Sequence, residues 1–253
     1  MRPHKRDAEQ SLLSHGLIGI PAPRLIYMNR SLSEIAAALV VIPVALVLFA
    51  ARSGSSRPLA EPAAAPVFDG VSASATADTA VFAGGCFWGV EAVFRHVKGV
   101  TSAVSGYAGG SVGNPSYEQV STGDTGHAES VQVIYDPSQV TYGKLLQIFF
   151  SVAHDPTQLN RQGPDHGTQY RSAIFYNTPQ QRQVAESYIR QLTSAKTFSR
   201  PIVTQVSKLN GFYRAEEYHQ NYLAQHPNQL YIVINDKPKV AALKKEFPDV
   251  YRN

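Results

Sequence analysis

The sequence predicts a two-layer α/β sandwich with a mixed sheet and long loops, preceded by an N-terminal apolar helix and a flexible tether. From Thr79 onward, strand-like and helix-like segments alternate irregularly, which favours helices packed on a mixed sheet. Before that point, an apolar stretch without charge is followed by a stretch rich in Ala, Ser, Pro and Gly. The length of 253 residues fits one globular domain with an extension, because domains usually contain about 100–200 residues.

The apolar stretch, residues 35–51, lies between Arg30 and Arg52 and has a length between those of two kinds of targeting segment. Signal-peptide apolar regions have about 7–15 residues, whereas membrane-spanning helices need about 17–25. We therefore expect a signal peptide or a membrane anchor at 35–51. The alternative is a core helix of a soluble domain, but no neighbouring segment offers such a helix a packing partner.

The residues on either side of this stretch complete the N-terminal organisation. Residues 1–34 form an extension without clear periodicity, and the segment that begins at Met28 resembles a complete signal peptide in itself. We therefore expect translation to start at Met28 rather than at Met1. Residues 52–78 are expected to form a flexible linker, because small residues and proline dominate there.

The folded domain is expected over residues 79–253, and it begins with a strand, a turn and a helix. Residues 81–83 form a short apolar strand candidate, and two glycines follow as a turn. Residues 87–97 can then form a helix, and residues 100–107 a second strand.

The middle of the domain has one clear strand and one clear helix between two loops. Residues 108–124 are Gly-rich and read as a loop, whereas 129–135 alternate apolar and polar side chains as a half-buried strand does. Residues 141–152 present an apolar helical face. Residues 153–169 form a second long polar loop.

The last elements predicted are two strands and two helices. Residues 170–176 and 202–209 are the strand candidates. Residues 179–195 are expected to be helical because proline suits the first helical position, and 215–225 form the last helix candidate. Together the elements predict a ferredoxin-like core with a mixed sheet.

Composition excludes several kinds of function. The net charge of +4 is not concentrated in any block of Lys and Arg, so no nucleic-acid-binding surface is indicated. The single cysteine, Cys86, excludes an internal disulfide and a zinc site built from several cysteines. Cys86 is therefore either a small buried apolar residue or a reactive thiol.

The local order of strand, Gly-Gly turn, cysteine and helix favours a reactive thiol. It places Cys86 at a helix N-terminus, where free N–H groups and the helix dipole favour a thiolate. Phe87 and Trp88, the only tryptophan, follow at once. They are either core residues or the wall of a cleft that suits an apolar substrate carrying a polar oxygen.

The run Gly84–Glu91 (GGCFWGVE) resembles the active-site signature of the type A peptide methionine sulfoxide reductases, the MsrA family. Further segments of this chain resemble the family's blocks in the same order, at 105–110, 114–117, 123–129, 154–156 and 162–172. The resemblance covers residues 79–253. It implies reduction of the S epimer of methionine sulfoxide, free or in proteins, to methionine through a sulfenic acid.

The resemblance also implies a role for each matching residue. Cys86 is implied as the nucleophile and Glu129 as the proton donor, although a Glu at a strand start is otherwise usually a solvated charge. The implied substrate-binding residues are two tyrosines for the sulfoxide oxygen, a supporting carboxylate and an aromatic cage for the methyl group, which are Tyr117, Tyr170, Asp165, Phe87 and Trp88. Glu91 is expected to be structural, paired with a backbone group or a cation.

This chain departs from many family members because its C-terminal segment contains no cysteine. An external thiol must therefore reduce Cys86, and we expect a thioredoxin-like or glutaredoxin-like protein or a small dithiol. No bound cofactor and no metal are expected, since the chemistry needs only thiols. We expect a monomer that is exported, periplasmic or membrane-anchored, with the catalytic domain outside the cytosol; if the segment at 35–51 is not functional, the protein is cytoplasmic.

Three histidines and two other functions remain as alternatives. His127, His154 and His166 lie near acidic residues, but their spacing matches no metal motif, and we expect His127 and His166 to orient neighbouring loops. A cysteine hydrolase or acyltransferase would need one of those two histidines as a base beside Cys86. A non-catalytic peptide-binding module would need only the aromatic cleft.

Overall fold

The computed structural model of this chain describes residues 62–69 and 77–253. The predicted apolar N-terminal helix at 35–51 and the extension at 1–34 lie outside the described residues. Within the described ranges, no helix combines the length and the apolar character needed to cross a bilayer.

The domain is built on one six-stranded sheet with the strand order β7-β6-β1-β3-β2-β8. Neighbouring strands are antiparallel except β6 and β7, so the sheet is mixed as predicted. A short two-stranded ladder, β4-β5, lies apart from it. The strands are β1 Asp78–Gly84, β2 Val100–Ala108, β3 Ala128–Tyr135, β4 Arg161–Gln162, β5 Asp165–His166, β6 Ser172–Tyr176, β7 Gln205–Lys208 and β8 Phe212–Arg214.

The helices begin where the sequence provides caps. Thr141 and Thr178 accept backbone N–H bonds at the starts of α3 and α4, and Ser116 forms a capping box at the start of α2. One wide helical turn at 149–153 extends α3, and another at 232–236 leads into α6. The helices are α1 Phe87–Arg95, α2 Tyr117–Ser121, α3 Tyr142–Ile148, α4 Pro179–Ser194, α5 Tyr222–Gln225 and α6 Lys237–Glu246.

The central strands and two helices follow the β-α-β-β-α-β order of a ferredoxin-like core. α1 joins β1 to β2, α3 lies between β3 and β6, and the four strands are ordered β6-β1-β3-β2. Strand side chains alternate between two faces, and Phe82 on one face packs with its ring centroid 5.1 Å from that of Phe94 and 5.0 Å from that of Phe149. The other face carries a smaller apolar cluster around Val81 and Phe175. The predicted α/β fold with a mixed sheet is confirmed.

The predicted loop at 153–169 contains the short strands β4 and β5. Two other predicted segments of the domain also differ from the structure. The loop at 108–124 contains α2, which the Ser116 capping box begins. The helix predicted at 215–225 is broken into a 3-10 turn and the short α5, because Asn221 between them is left-handed with φ 51°. The N–H of Asn221 donates to the carboxylate of Glu91 at 2.9 Å. In a continuous helix this N–H would donate to a backbone carbonyl of the preceding turn instead.

Part of the predicted flexible linker is held against the domain. Residues 62–69 run along α3 and α4 as a strap, in which both backbone groups of Ala63 are bonded, to Ser151 Oγ and to Gln147 Nε2. The Tyr188 hydroxyl donates to the carbonyl of Ala64 at 2.8 Å, and Gly143 N donates to the carboxylate of Asp69 at 2.8 Å. The expectation of a flexible tether therefore does not hold for 62–69.

Candidate active site

Cys86 lies at the N-cap of α1, directly after the turn that ends β1. The turn requires glycine at position 85, where φ is +86° and any side chain would meet the Gln162 side chain. The cysteine is a free thiol and is 8% exposed. The predicted position at a helix start is confirmed, and the cysteine is buried rather than open to solvent.

Glu129, at the start of β3, is brought to the residue that follows Cys86. Its Oε2 accepts the backbone N–H of Phe87 at 3.0 Å, and the residue is 3% exposed. Burial raises the pKa of Glu129 to about 8; the Phe87 N–H lowers it, and the charges of Asp165 and Asp236 raise it further. At neutral pH this side chain is therefore mainly a carboxylic acid with a proton to give.

The thiol itself is not favoured as an anion in the resting pocket. Burial raises the pKa of Cys86 well above its ordinary value, and the charges of Glu129 and Asp236 add to the rise. The backbone N–H of Trp88 and the charge of Lys239 lower the pKa of Cys86, but they do not reverse the direction. The expectation that the helix N-terminus favours a thiolate is therefore not met, because desolvation by burial outweighs the helix dipole.

Tyr117 and Tyr170 lie close enough to Glu129 and Cys86 for those two groups to influence the pKa of both tyrosines. Burial raises the pKa of each tyrosine, and the charges of Glu129 and Cys86 also contribute to the rise. Both hydroxyls thus stay protonated and can donate hydrogen bonds. The backbone of Tyr117 is fixed because its N–H donates to Glu216 Oε1 at 2.8 Å, while Tyr107 donates to Oε2 of the same carboxylate at 2.8 Å.

For Phe87 and Trp88 the sequence left two alternatives, core residues or the wall of a cleft. In the structure Phe87 lies in the core, and Trp88 lies at its edge. Phe87 is buried, whereas Trp88 is partly exposed and stacks on Tyr222 with centroids 3.7 Å apart and an interplanar angle of 5°. The rings of Trp88 and Tyr231 are nearly perpendicular, with their centroids 5.9 Å apart. Rings on several sides therefore fix the indole plane.

His219 is a pocket residue that the sequence analysis did not identify. Its Nδ1 accepts the Trp88 indole N–H at 3.2 Å, and indole can only donate, so the proton of the neutral ring sits on Nε2. Burial lowers the pKa of His219, which keeps the ring neutral. The buried Nε2 has no hydrogen-bond partner among the described residues, and the ring lies 4.4 Å from that of Tyr117.

Asp165 and Tyr231 are bonded to each other near Cys86, and Tyr231 was not predicted from the sequence. The Tyr231 hydroxyl donates to Asp165 Oδ2, which ties β5 to the C-terminal segment. Burial raises the pKa of Tyr231, as do the charges of Cys86 and Asp165. No spacing signal in the sequence marked Tyr231, since it precedes a helix that was not predicted. His219 lay within the predicted helix at 215–225 and carried no signal of its own.

Glu91 is structural, as expected. Its carboxylate accepts Ser105 Oγ at 2.7 Å and the N–H of Asn221, and it contacts Arg95 at 3.4 Å. This network attaches the segment that contains His219 to the middle of α1.

The three histidines singled out in the sequence do not form a metal site. No group of metal-binding side chains occurs in the part of the chain that the structure describes. Both ring nitrogens of His127 are engaged, with Gly110 N at 3.1 Å and Val112 O at 2.7 Å, so this residue orients a loop as expected and is not a free base. His154 is buried and bonded to Ser172 Oγ at 2.7 Å, with burial lowering its pKa to about 4. His166 is exposed on β5.

Comparisons with known proteins agree with this geometry. The sequence model of the family described as peptide methionine sulfoxide reductase matches residues 78–250. The peptide methionine sulfoxide reductase MsrA 2 of Mesorhizobium japonicum is 62% identical over 174 residues, which are 69% of this chain and 89% of that protein.

Two solved structures are similar in fold. The reduced form of Mxr1 from Saccharomyces cerevisiae superimposes with a TM-score of 0.57 at 35% identity, covering 62% of this chain and 89% of that chain. Methionine sulfoxide reductase A of Corynebacterium diphtheriae superimposes with a TM-score of 0.54 at 38% identity, covering 67% of this chain and 85% of that chain.

Proposed function

Because the chain belongs to the peptide methionine sulfoxide reductase family, and so reduces methionine sulfoxide with a thiol, we propose that Cys86 is that thiol and Glu129 its proton donor. The observation that carries this assignment is the hydrogen bond between Glu129 and the N–H of Phe87. It places a buried carboxylic acid beside the residue that follows the thiol.

In the first half-reaction, the Cys86 sulfur attacks the sulfoxide sulfur while Glu129 gives its proton to the sulfoxide oxygen. The oxygen then passes to Cys86, which becomes a sulfenic acid, and the thioether leaves. The thiol proton replaces the one that Glu129 gave, so no proton is lost to solvent. The Cys86 sulfur is oxidised by two electrons and the substrate sulfur is reduced by two.

The remaining pocket residues hold the substrate during this step. The hydroxyls of Tyr117 and Tyr170 donate to the sulfoxide oxygen, whose negative charge grows as the sulfur is attacked. The rings of Phe87 and Trp88 enclose the S-methyl group. Asp165 supports the pocket edge through Tyr231. Fixing the oxygen and the methyl group on different walls admits one epimer, which the family resemblance assigns as S.

An external thiol completes the cycle. The sequence contains a single cysteine, so the sulfenic acid cannot be resolved by an internal disulfide. One thiolate of a dithiol attacks the Cys86 sulfur and displaces the oxygen, which leaves as water after taking up a proton. The second thiol of the donor then releases Cys86, and the donor becomes a disulfide. A thioredoxin-like or glutaredoxin-like protein fits this chemistry as the electron donor.

We further propose that the protein acts outside the cytosol as a monomer. The support is the uncharged segment at 35–51, flanked by Arg30 and Arg52, which has the composition of a signal peptide or membrane anchor. Fractionation of cells that make the full chain, followed by N-terminal sequencing, separates cleavage from anchoring and identifies the starting methionine. Recovery of the intact chain in the cytosol alone would overturn this placement.

A single-turnover experiment tests the catalytic assignment. Reduced protein is mixed with one equivalent of S-methionine sulfoxide without reductant, and the product and the protein mass are measured together. We expect one methionine and one added oxygen, located on Cys86. Cys86→Ser should give neither, and Ser151→Ala, which replaces a hydroxyl remote from the pocket, should behave as the unaltered protein. Methionine formation by the Cys86→Ser variant would refute the assignment.

A further inference from the structure

Asp236 and Lys239 form a buried ion pair that the proposed chemistry does not use. Asp236 ends the wide turn before α6 and is 0% exposed, and Lys239 lies one turn further along. Lys239 Nζ is 3.3 Å from Asp236 Oδ1, and the lysine side chain is 18% exposed. Burial raises the pKa of Asp236, and the adjacent Lys239 ammonium lowers it and so favours the charged carboxylate.

The pair fits against α1 because residue 89 has no side chain. A Cβ at Gly89 would collide with Asp236 Oδ1 and would come within 2.7 Å of Lys239 Nζ. Gly89 follows Cys86 by three residues, and positions three apart share one helix face, with Cβ atoms about 5–6 Å apart. The notch at Gly89 therefore seats the ion pair beside Cys86.

The ion pair is not explained by stability. Asp236 Oδ2 is buried and has no hydrogen-bond partner among the described residues. A buried ion pair gains from its attraction only where the remaining polar atoms are also satisfied, and apolar replacements of such pairs are often neutral or stabilising. A partly satisfied pair next to a reactive thiol is therefore costly, and its position suggests a reason in the chemistry.

We propose that Asp236 and Lys239 are positioning residues that set the charge of the Cys86 thiol, an inference that rests on the proposed role of Cys86. The Asp236 carboxylate disfavours a second anion in the same desolvated pocket, so the thiol stays protonated between turnovers. Lys239 limits that effect, so that the sulfur can still become an anion when substrate is bound. Oxidants react with thiolates faster than with thiols, so this arrangement also protects the resting cysteine.

The other groups around Cys86 do not supply this balance of charges. Glu129 must keep its own proton for the sulfoxide oxygen, and the pocket tyrosines are neutral donors. The directions of influence on the Cys86 pKa agree with the geometry, because Asp236 raises it and Lys239 lowers it. The titratable groups that face the thiol come from β3, α2, the turn before β6 and the C-terminal segment, and they are Glu129, Tyr117, Tyr170, Tyr231, Asp236 and Lys239.

The test is the rate at which iodoacetamide alkylates Cys86 in the full chain, measured from pH 6 to pH 10 by protein mass. Asp236→Asn leaves Lys239 uncompensated, so alkylation at pH 7.5 should become about tenfold faster, the effect of lowering the thiol pKa by about one. Adding Lys239→Gln to that variant removes both charges and should return the rate to within about threefold of the unaltered protein. If Asp236 and Lys239 had only a structural role, adding Lys239→Gln would not reverse the effect of Asp236→Asn.

Further variants keep the proposal open to refutation. Lys239→Gln alone should not accelerate alkylation, whereas Lys239→Arg keeps the charge and should preserve the profile. Arg182→Gln alters an exposed ion pair on α4 and is the matched control. An unchanged rate in Asp236→Asn, a double variant as fast as the single one, or faster alkylation in Lys239→Gln would each overturn the proposal.

Two features make the experiment robust. Should Asp236→Asn fail to fold, Asp236→Ser removes the same charge with less bulk, and the lysine variants still give a decision. Alkylation does not require sulfoxide reduction, so its outcome is separate from the catalytic assignment. If the catalytic assignment of Cys86 were wrong, the Cys86→Ser variant would still form methionine, whatever the alkylation rates are.

Discussion

Replacing Glu129 with Gln should remove catalysis and stabilise the fold at neutral pH. The residue is 3% exposed, and its carboxyl receives one hydrogen bond from residues 62–69 and 77–253, the N–H of Phe87. Gln keeps the shape and offers a carbonyl to the same N–H, but it has no acidic proton. The substitution therefore separates the role of Glu129 as a proton donor from the effect of its burial on the free energy of unfolding.

The stability effect follows from the pKa of Glu129. Its folded pKa of about 8 compares with an ordinary 4.5, so at pH 7 folding must take up nearly one proton. Stability falls as pH rises wherever the folded state binds more protons than the unfolded state, which here is between about pH 4.5 and 8. At about 1.36 kcal/mol per pH unit, the cost at pH 7 is on the order of 3 kcal/mol.

Guanidinium unfolding at pH 5, 6, 7 and 8 measures this cost as a difference between variants. The free energy of unfolding of Glu129→Gln should exceed that of the unaltered protein by an amount that grows with pH and reaches about 3 kcal/mol at pH 7. Glu186→Gln, at an exposed ion pair, should give a small difference that does not grow. Parallel pH profiles for the unaltered protein and Glu129→Gln would show that the acid is not buried as described.

Four further outcomes are expected from the same structure. Turnover with dithiothreitol should fall as pH rises above about 8, where Glu129 loses the proton it donates, and Glu129→Gln should lower turnover by about 10²–10⁴-fold at pH 7. Tyr117→Phe and Tyr170→Phe should each reduce kcat/KM by about tenfold and the pair by about a hundredfold, with methionine formation as the readout. His219→Phe removes the acceptor of the Trp88 indole N–H, so we expect KM to rise by about tenfold with kcat less affected. A chain beginning at residue 77 should melt a few degrees below one beginning at residue 62, because it lacks the six hydrogen bonds that join the strap to the domain and the burial of Ala63 in the core; equal melting temperatures would mean that the strap adds nothing.

The elements with local signals could be predicted from the sequence. The alternation of 129–135 predicted β3, and the proline at the start of α4 predicted its first turn. Gly84, Gly85 and Cys86 predicted the position of the thiol, because a positive φ and a helix start are both local properties.

The C-terminal part of the pocket could not be predicted, because distant contacts decide its structure. The segment 215–225 has the pattern of a helix, but Asn221 turns left-handed to reach Glu91, which is 130 residues earlier in the chain. α6 carries a weak apolar pattern, because its role is to place polar residues against α1. Position 89 likewise reads as an ordinary helical glycine until the Asp236–Lys239 pair is seen in its notch.

The number of donors that each buried carboxylate receives separates structural from chemical roles around Cys86. Glu91 accepts bonds from Ser105, Asn221 and Arg95, which fix its carboxyl group and oppose the rise in its pKa that burial causes, and no group in the cycle needs its proton. Within the described part of the chain, Glu129 has the Phe87 N–H as its donor, and Asp236 has Lys239 on one oxygen and no partner on the other. A carboxyl that lacks donors retains its proton or raises the proton affinity of its neighbours. Both effects serve a thiol that must stay neutral until a sulfoxide needs a proton and an electron pair together.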